Sequence, residues 1–175
     1  MKKLTPRLAA LNAPLALALL VTTLLPSPLA AQNRKREFLT PQEVEMVADT
    51  QELDKRSALF VKIAERRLLA ITDPQAAATQ QAKDAAAWGE LPKGTRADLL
   101  SDLARIFDEA IDNIDDVATR APSSPTLHKS VKKLAEASSR FLSQLTPLRD
   151  KTDDDEREAL EQAIDNLQQI LEANK

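Results

Sequence analysis

LLSDLARIFDEAIDNIDDVA, residues Leu99–Ala118, decides the fold. Placed on a helical wheel at about 100° per residue, every apolar side chain of the stretch falls on one side and every polar one on the other. Segregation this complete predicts an amphipathic helix with a single buried face. Asp108, Glu109, Asp112, Asp115 and Asp116 share the polar arc. The arrangement is not ideal for helix stability. Asp108–Asp112 and Asp112–Asp116 are like-charged i,i+4 pairs, each costing about 0.2–0.5 kcal/mol. Asp115 and Asp116 also stand near the C-terminus, the wrong end of the helix dipole for an acid. Solvation explains an acidic face by itself, but these costs make the five carboxylates a candidate docking surface for a basic partner.

Working outward, the rest of the chain speaks the same helical language. Two glycines, no tyrosine and abundant Ala, Leu, Glu, Lys and Arg favour helix over sheet. Thr40, Pro41 and Glu43 form a capping box, with Leu39 and Val44 at the positions of a hydrophobic staple. Met46, Thr50, Leu53, Ser57, Phe60, Ala64 and Leu68 then recur at helical steps, predicting one helix from Thr40 to Ile71. Asp73-Pro74 opens a short Ala-rich helix to Ala87, and WGELPKG, Trp88–Gly94, reads as a loop. Thr95 with Asp98 starts the helix of the opening stretch. Ser124 is expected to cap the next helix, which carries a seam of Leu127, Val131, Leu134, Ser138, Phe141, Leu145 and Leu148 until Pro147 kinks or ends it. Thr152 and the acids after it begin the last helix, striped by Leu160, Ile164, Leu167 and Leu171. The expected fold is all-α, an antiparallel four-helix bundle with a short extra helix in the first crossover.

The ends define the expected domain plan. Lys2, Lys3 and Arg7, then 13 residues from Ala13 to Leu25, then Ala30-Ala31 have the order of a secretory signal peptide. The run is too short for a spanning helix, which needs about 20 residues. Residues 1–31 are therefore expected to be cleaved, 32–37 to be a flexible basic tail, and 38–175 to be the helical domain. From Gln32 onward 21 basic and 27 acidic side chains remain, a formal charge of −6. That balance argues against general nucleic-acid binding. The location expected is periplasmic or secreted, with no membrane span after cleavage. Arg34, Lys35 and Arg36 offer a contact for an anionic surface, at about 1 kcal/mol each beside such a surface.

Catalytic chemistry is scarce. His128 is the single histidine and there is no cysteine, so the usual nucleophile–base pairs lack parts. No phosphate-binding glycine loop, Glu-x-x-His pair, haem motif or calcium loop occurs. No cofactor and no metal are expected, and an enzyme would need a pocket gathering His128 with carboxylates from another helix.

LTPQE, Leu39–Glu43, and LTPLR, Leu145–Arg149, resemble the paired LTxxQ motifs of Spy- and CpxP-like periplasmic helical chaperones. The resemblance covers ten residues and lacks the glutamine in both copies. It implies a small, exported, all-helical protein that shields unfolded clients or senses envelope stress. The reading carried forward is an exported, non-catalytic interaction module whose partner is a protein or envelope component, with the chaperone or stress adaptor as its alternative.

Overall fold

The computed structural model describes residues 36–175, and Arg36–Lys175 form one compact unit. The expected signal segment and residues 32–35 of the tail lie outside the described residues. Six α-helices follow one another: α1, Pro41–Asp49; α2, Leu53–Thr72; α3, Pro74–Trp88; α4, Arg96–Arg120; α5, Pro125–Leu145; and α6, Asp154–Ala173. No strand occurs among the described residues, nor any helix long and apolar enough to cross a membrane.

Local chemistry sets most boundaries. The Thr40 side chain accepts the Glu43 N–H at 3.3 Å while Glu43 Oε2 accepts the Thr40 N–H at 2.9 Å, completing the box at α1. Asp73 caps α3 by accepting the Ala76 N–H at 2.9 Å, and α3 ends at Gly89, whose φ of 61° suits a residue without Cβ. Thr95 and Asp98 form a second complete box at α4. At α5, Ser124 occupies the cap position, but its hydroxyl shares a hydrogen with the Thr126 hydroxyl instead of capping. α5 stops at Leu145, and Pro147 starts a 3₁₀ turn, Thr146–Lys151. The start of α6 shifts by one residue from Thr152: Asp153 accepts the Glu156 N–H at 3.0 Å, while the Thr152 hydroxyl donates to the Arg149 carbonyl at 3.1 Å.

The expected first helix is broken. Thr50 leaves helical geometry at φ −92° and ψ 94°, and α2 begins only at Leu53. In an uninterrupted helix Glu43 and Arg67 would stand about 36 Å apart, at 1.5 Å per residue. In the fold they bond at 2.7 and 2.5 Å, so α1 turns back along α2. Val44 does not close the expected staple; it is 50% exposed.

The core is built from α2, α4, α5 and α6. Phe60 and Ile63 of α2, Leu100, Leu103, Ile106 and Phe107 of α4, Leu134 and Phe141 of α5, and Leu160, Ile164 and Leu167 of α6 are all almost fully buried. Phe107 meets Phe141 edge to face, with centroids 5.1 Å apart. α2 packs on α4 and α5, and α6 packs on the same two helices. Arg67 stands by Asp102 and Arg56 bonds Asn113, so α2 and α4 run antiparallel. Two other packed pairs depart from the expectation of an antiparallel bundle. Asp54 meets Lys129 and Glu65 meets Arg140, so α2 and α5 are parallel; Glu156 meets Arg96 and Asn166 meets Asp108, so α4 and α6 are parallel too. The reason is the turn after α4. It makes α4 and α5, consecutive in sequence, slighter neighbours than either is to α2 or α6.

Candidate functional site

The acidic arc of α4 is not uniform. Glu109, Asp112, Asp115 and Asp116 are exposed, whereas Asp108 is half-buried against α6. There its carboxylate accepts the Asn166 amide at 2.7 Å, and the same amide nitrogen donates to the Ala104 carbonyl at 3.0 Å. Burial raises the Asp108 carboxyl above its ordinary range, the neighbouring Asp112 adds to the rise, and the Asn166 bond opposes it. Asp108 thus helps seat α6. Asp116 pairs with Arg120 one turn on, and Glu109 accepts from Asn113 at 3.3 Å. Asp112 and Asp115 make no ion pair with another described residue.

α6 extends this acidity. Along α4 and α6 together there are fourteen acidic and four basic side chains, a net charge of −10. Along α2 and α5, the other parallel pair, there are three acidic and nine basic side chains, a net charge of +6. The two sides therefore carry opposite charge. On the basic side Lys62 and Lys132 are exposed, as are Lys129 and Arg140, which pair with Asp54 and Glu65.

A second charged centre is buried, and nothing in the sequence announces it. Arg67, fully buried, donates to both Glu43 oxygens and to the Phe38 carbonyl at 2.7 Å. Arg66 also donates to Glu43 and lies over the Trp88 ring at 5.1 Å. Asp102, 1% exposed, accepts two bonds from Arg36, at 2.5 and 2.8 Å. Burial nevertheless pushes the Asp102 carboxyl upward, outweighing the pull of Arg36 and Arg67. Arg105 donates to the Arg36 carbonyl at 2.7 Å and covers the Phe38 ring at 4.4 Å. Within this centre Arg67 Nε has no hydrogen-bond partner and stands 3.8 Å from Asp102.

Of the basic trio, Arg34 and Lys35 lie outside the described residues, while Arg36 belongs to this centre. The two LTP stretches fall at a helix start and in the 3₁₀ turn after α5. His128 is exposed beside a hollow of about 380 Å³ at the end of the helical body, lined by Leu127, Val131 and Ala173 but by no Asp or Glu side chain. The larger cleft, about 550 Å³, lies between residues 36–42 and the loop 90–93. Among the described residues no group of three or more His, Asp or Glu side chains is placed to hold a metal ion. No protein-family model matches the chain, and no curated protein or solved structure matches it either.

Proposed function

We propose that this chain is an exported, non-catalytic binding module whose acidic side, α4 and α6, docks a cationic macromolecule of the cell envelope or exterior. In this reading α2, α4, α5 and α6 are a four-helix bundle that serves as scaffold, with α1 and α3 as additions. The supporting observation is the partition of charge, −10 along one parallel helix pair against +6 along the other. Separated charge of this kind orients an approaching polyelectrolyte and speeds its encounter, and salt weakens it over a Debye length of about 8–10 Å. Asp112 and Asp115 are the residues best placed to act, because both are exposed and neither makes an ion pair with another described residue. Asp108 contributes less, since Asn166 already uses it.

Crosslinking capture from the native envelope tests the reading. Wild type and the Asp112→Asn, Asp115→Asn variant are compared at low and at high salt. The variant should capture less partner at low salt, and the two should converge at high salt. Equal capture at both would leave these carboxylates with no part in binding.

A further inference from the structure

We infer that residues 36–50 are a strap held shut by a buried ionic latch, and that release of the latch lets α1 and α2 join as one continuous helix. Beside the latch, the strap is held by the Arg36–Asp102 pair and by Arg105, which covers Phe38. Glu43 is the single buried residue of α1, and Phe38, Leu39, Met46 and Val47 are only partly covered. A helix normally docks through a buried apolar stripe; in α1 Met46 and Val47 pack on the core only in part, and the one buried side chain is a carboxylate. Removing such a charge pair from water costs more than apolar packing would, so its use favours selecting one arrangement over another.

The competing arrangement is written across the hinge. Thr50, Gln51 and Glu52 include neither proline nor glycine, the residues that break helices by themselves. The stripe of Met46, Thr50, Leu53, Ser57 and Phe60 keeps helical phase straight through the break. The break is held by Glu43 on Arg67, 24 residues away, and at the hinge itself by Arg56, which donates to the Thr50 carbonyl at 2.7 Å. A continuous helix also has somewhere to lie. Arg56 of α2 is level with Asn113 of antiparallel α4, so Leu53, where α2 begins, is level with Asp116, and residues 117–120 of α4 run on past it. An extension of α2 would pass beside half-buried Val117. The opposite loop fits the closed strap closely. A Cβ at Gly89 would stand 3.1 Å from Gln42, and one at Gly94 would stand 2.8 Å from the Asp98 Cβ of α4 and 2.9 Å from Arg36. Gly89 thus serves the strap's approach, while Gly94 makes room first for Asp98. The Arg36–Asp102 clasp is the weaker of the two, because Arg36 keeps a third of its side chain in water.

The test uses the full chain, which has no cysteine, with spin labels at Glu45→Cys and Thr72→Cys. With the latch intact, one short separation is expected. In a continuous helix the labels would stand about 40 Å apart. Glu43→Gln with Arg67→Met removes the fully buried pair and leaves Arg66 to Gln81 and the Glu90 carbonyl, and a population near 40 Å should appear. Gln51→Pro in that background should abolish it. Proline there suits the closed hinge, where Thr50 is extended, and forbids the long helix. A short separation alone in the latch variant overturns the proposal, and so does a long population that survives Gln51→Pro. Loss of cooperative melting overturns it too, since a latch on the strap alone leaves α2, α4, α5 and α6 folded.

Discussion

Two helices of this protein begin with the same device and end in different physics. At α4, Thr95 and Asp98 exchange their bonds in the half-exposed first turn, with Thr95 donating to Asp98 at 2.7 Å. At α1, Thr40 and Glu43 exchange the same bonds, but Glu43 lies at 0% exposure and is shared with Arg66 and Arg67. One methylene separates the acids. Asp98 ends within its own turn, whereas Glu43 also reaches the guanidinium of the next helix. A capping box therefore marks where a helix starts without telling whether its acid is a local cap or a tertiary anchor.

The largest expected effect tests that division. Glu43→Gln should cost about 3–5 kcal/mol, because it leaves Arg67 buried without its anion. Asp98→Asn should cost about 1 kcal/mol, the worth of a helix cap in water. Chemical denaturation of both variants reads the contrast directly. Equal losses would mean that Arg67 finds another partner once Glu43 is neutral, and the distinction between the boxes would collapse.

The threonines sharpen the same comparison at a smaller scale. Thr95→Ala and Thr40→Ala should each lose about 1 kcal/mol, since each leaves one first-turn N–H without its acceptor. The two losses should differ in how they combine. Thr40→Ala should lose most of its effect in an Arg67→Met background, where the strap is already loosened, while Thr95→Ala should keep its full cost there. Denaturation midpoints of the four variants give the coupling.

How much of this could be read beforehand follows from where each interaction lives. The starts of α1, α3 and α4 were legible because a cap is a contact between residues three apart. The polar and apolar arcs of α4 were legible for the same reason. Asp102 was not. It lies at the margin of the polar arc, and only the arrival of Arg36, 66 residues away in sequence, turns it into a buried group. Arg67 falls off the stripe of α2, where charged residues are ordinarily solvated. The break at Thr50 was illegible because the apolar stripe runs through it in phase, with no proline or glycine, while Glu43 bonds Arg67, 24 residues away. Across the parallel pair of α4 and α6, Asn166 is an unremarkable polar residue until it meets Ala104 and Asp108.

Acid should separate two aspartates one turn apart on α4. Bonds from Thr95 hold the Asp98 carboxyl below 3.8, the ordinary value. Its contribution is present above 3.8 and is lost as pH falls through the lowered folded value. Asp102 is displaced the other way, so the folded state binds its proton more tightly than the unfolded chain does. Its contribution is complete below 3.8 and is lost as pH rises through the raised value. Compared with Asp102→Asn, wild type should gain relative stability as pH drops toward 3.8. The opposite slope would mean that Arg36 outweighs burial at this carboxylate.

The smallest effect belongs to the exposed acids, where neither box has a counterpart. Asp112 faces Asp108 one turn before it and Asp116 one turn after, so Asp112→Asn relieves two repulsions of about 0.2–0.5 kcal/mol each. Asp116→Asn relieves one of them and forfeits the pair with Arg120. Thermal melting at low salt should therefore show a slight gain for Asp112→Asn and almost none for Asp116→Asn, with both differences fading as salt rises. A loss at Asp112 would show that its carboxylate has a partner worth more than the repulsion it endures. The measured sign thus separates a residue tolerated on the surface from one that the fold itself uses, and it does so without knowledge of any ligand. If Asp112→Asn is the more stable protein yet the poorer binder, the charge is retained against the interest of the fold, as a docking residue would be.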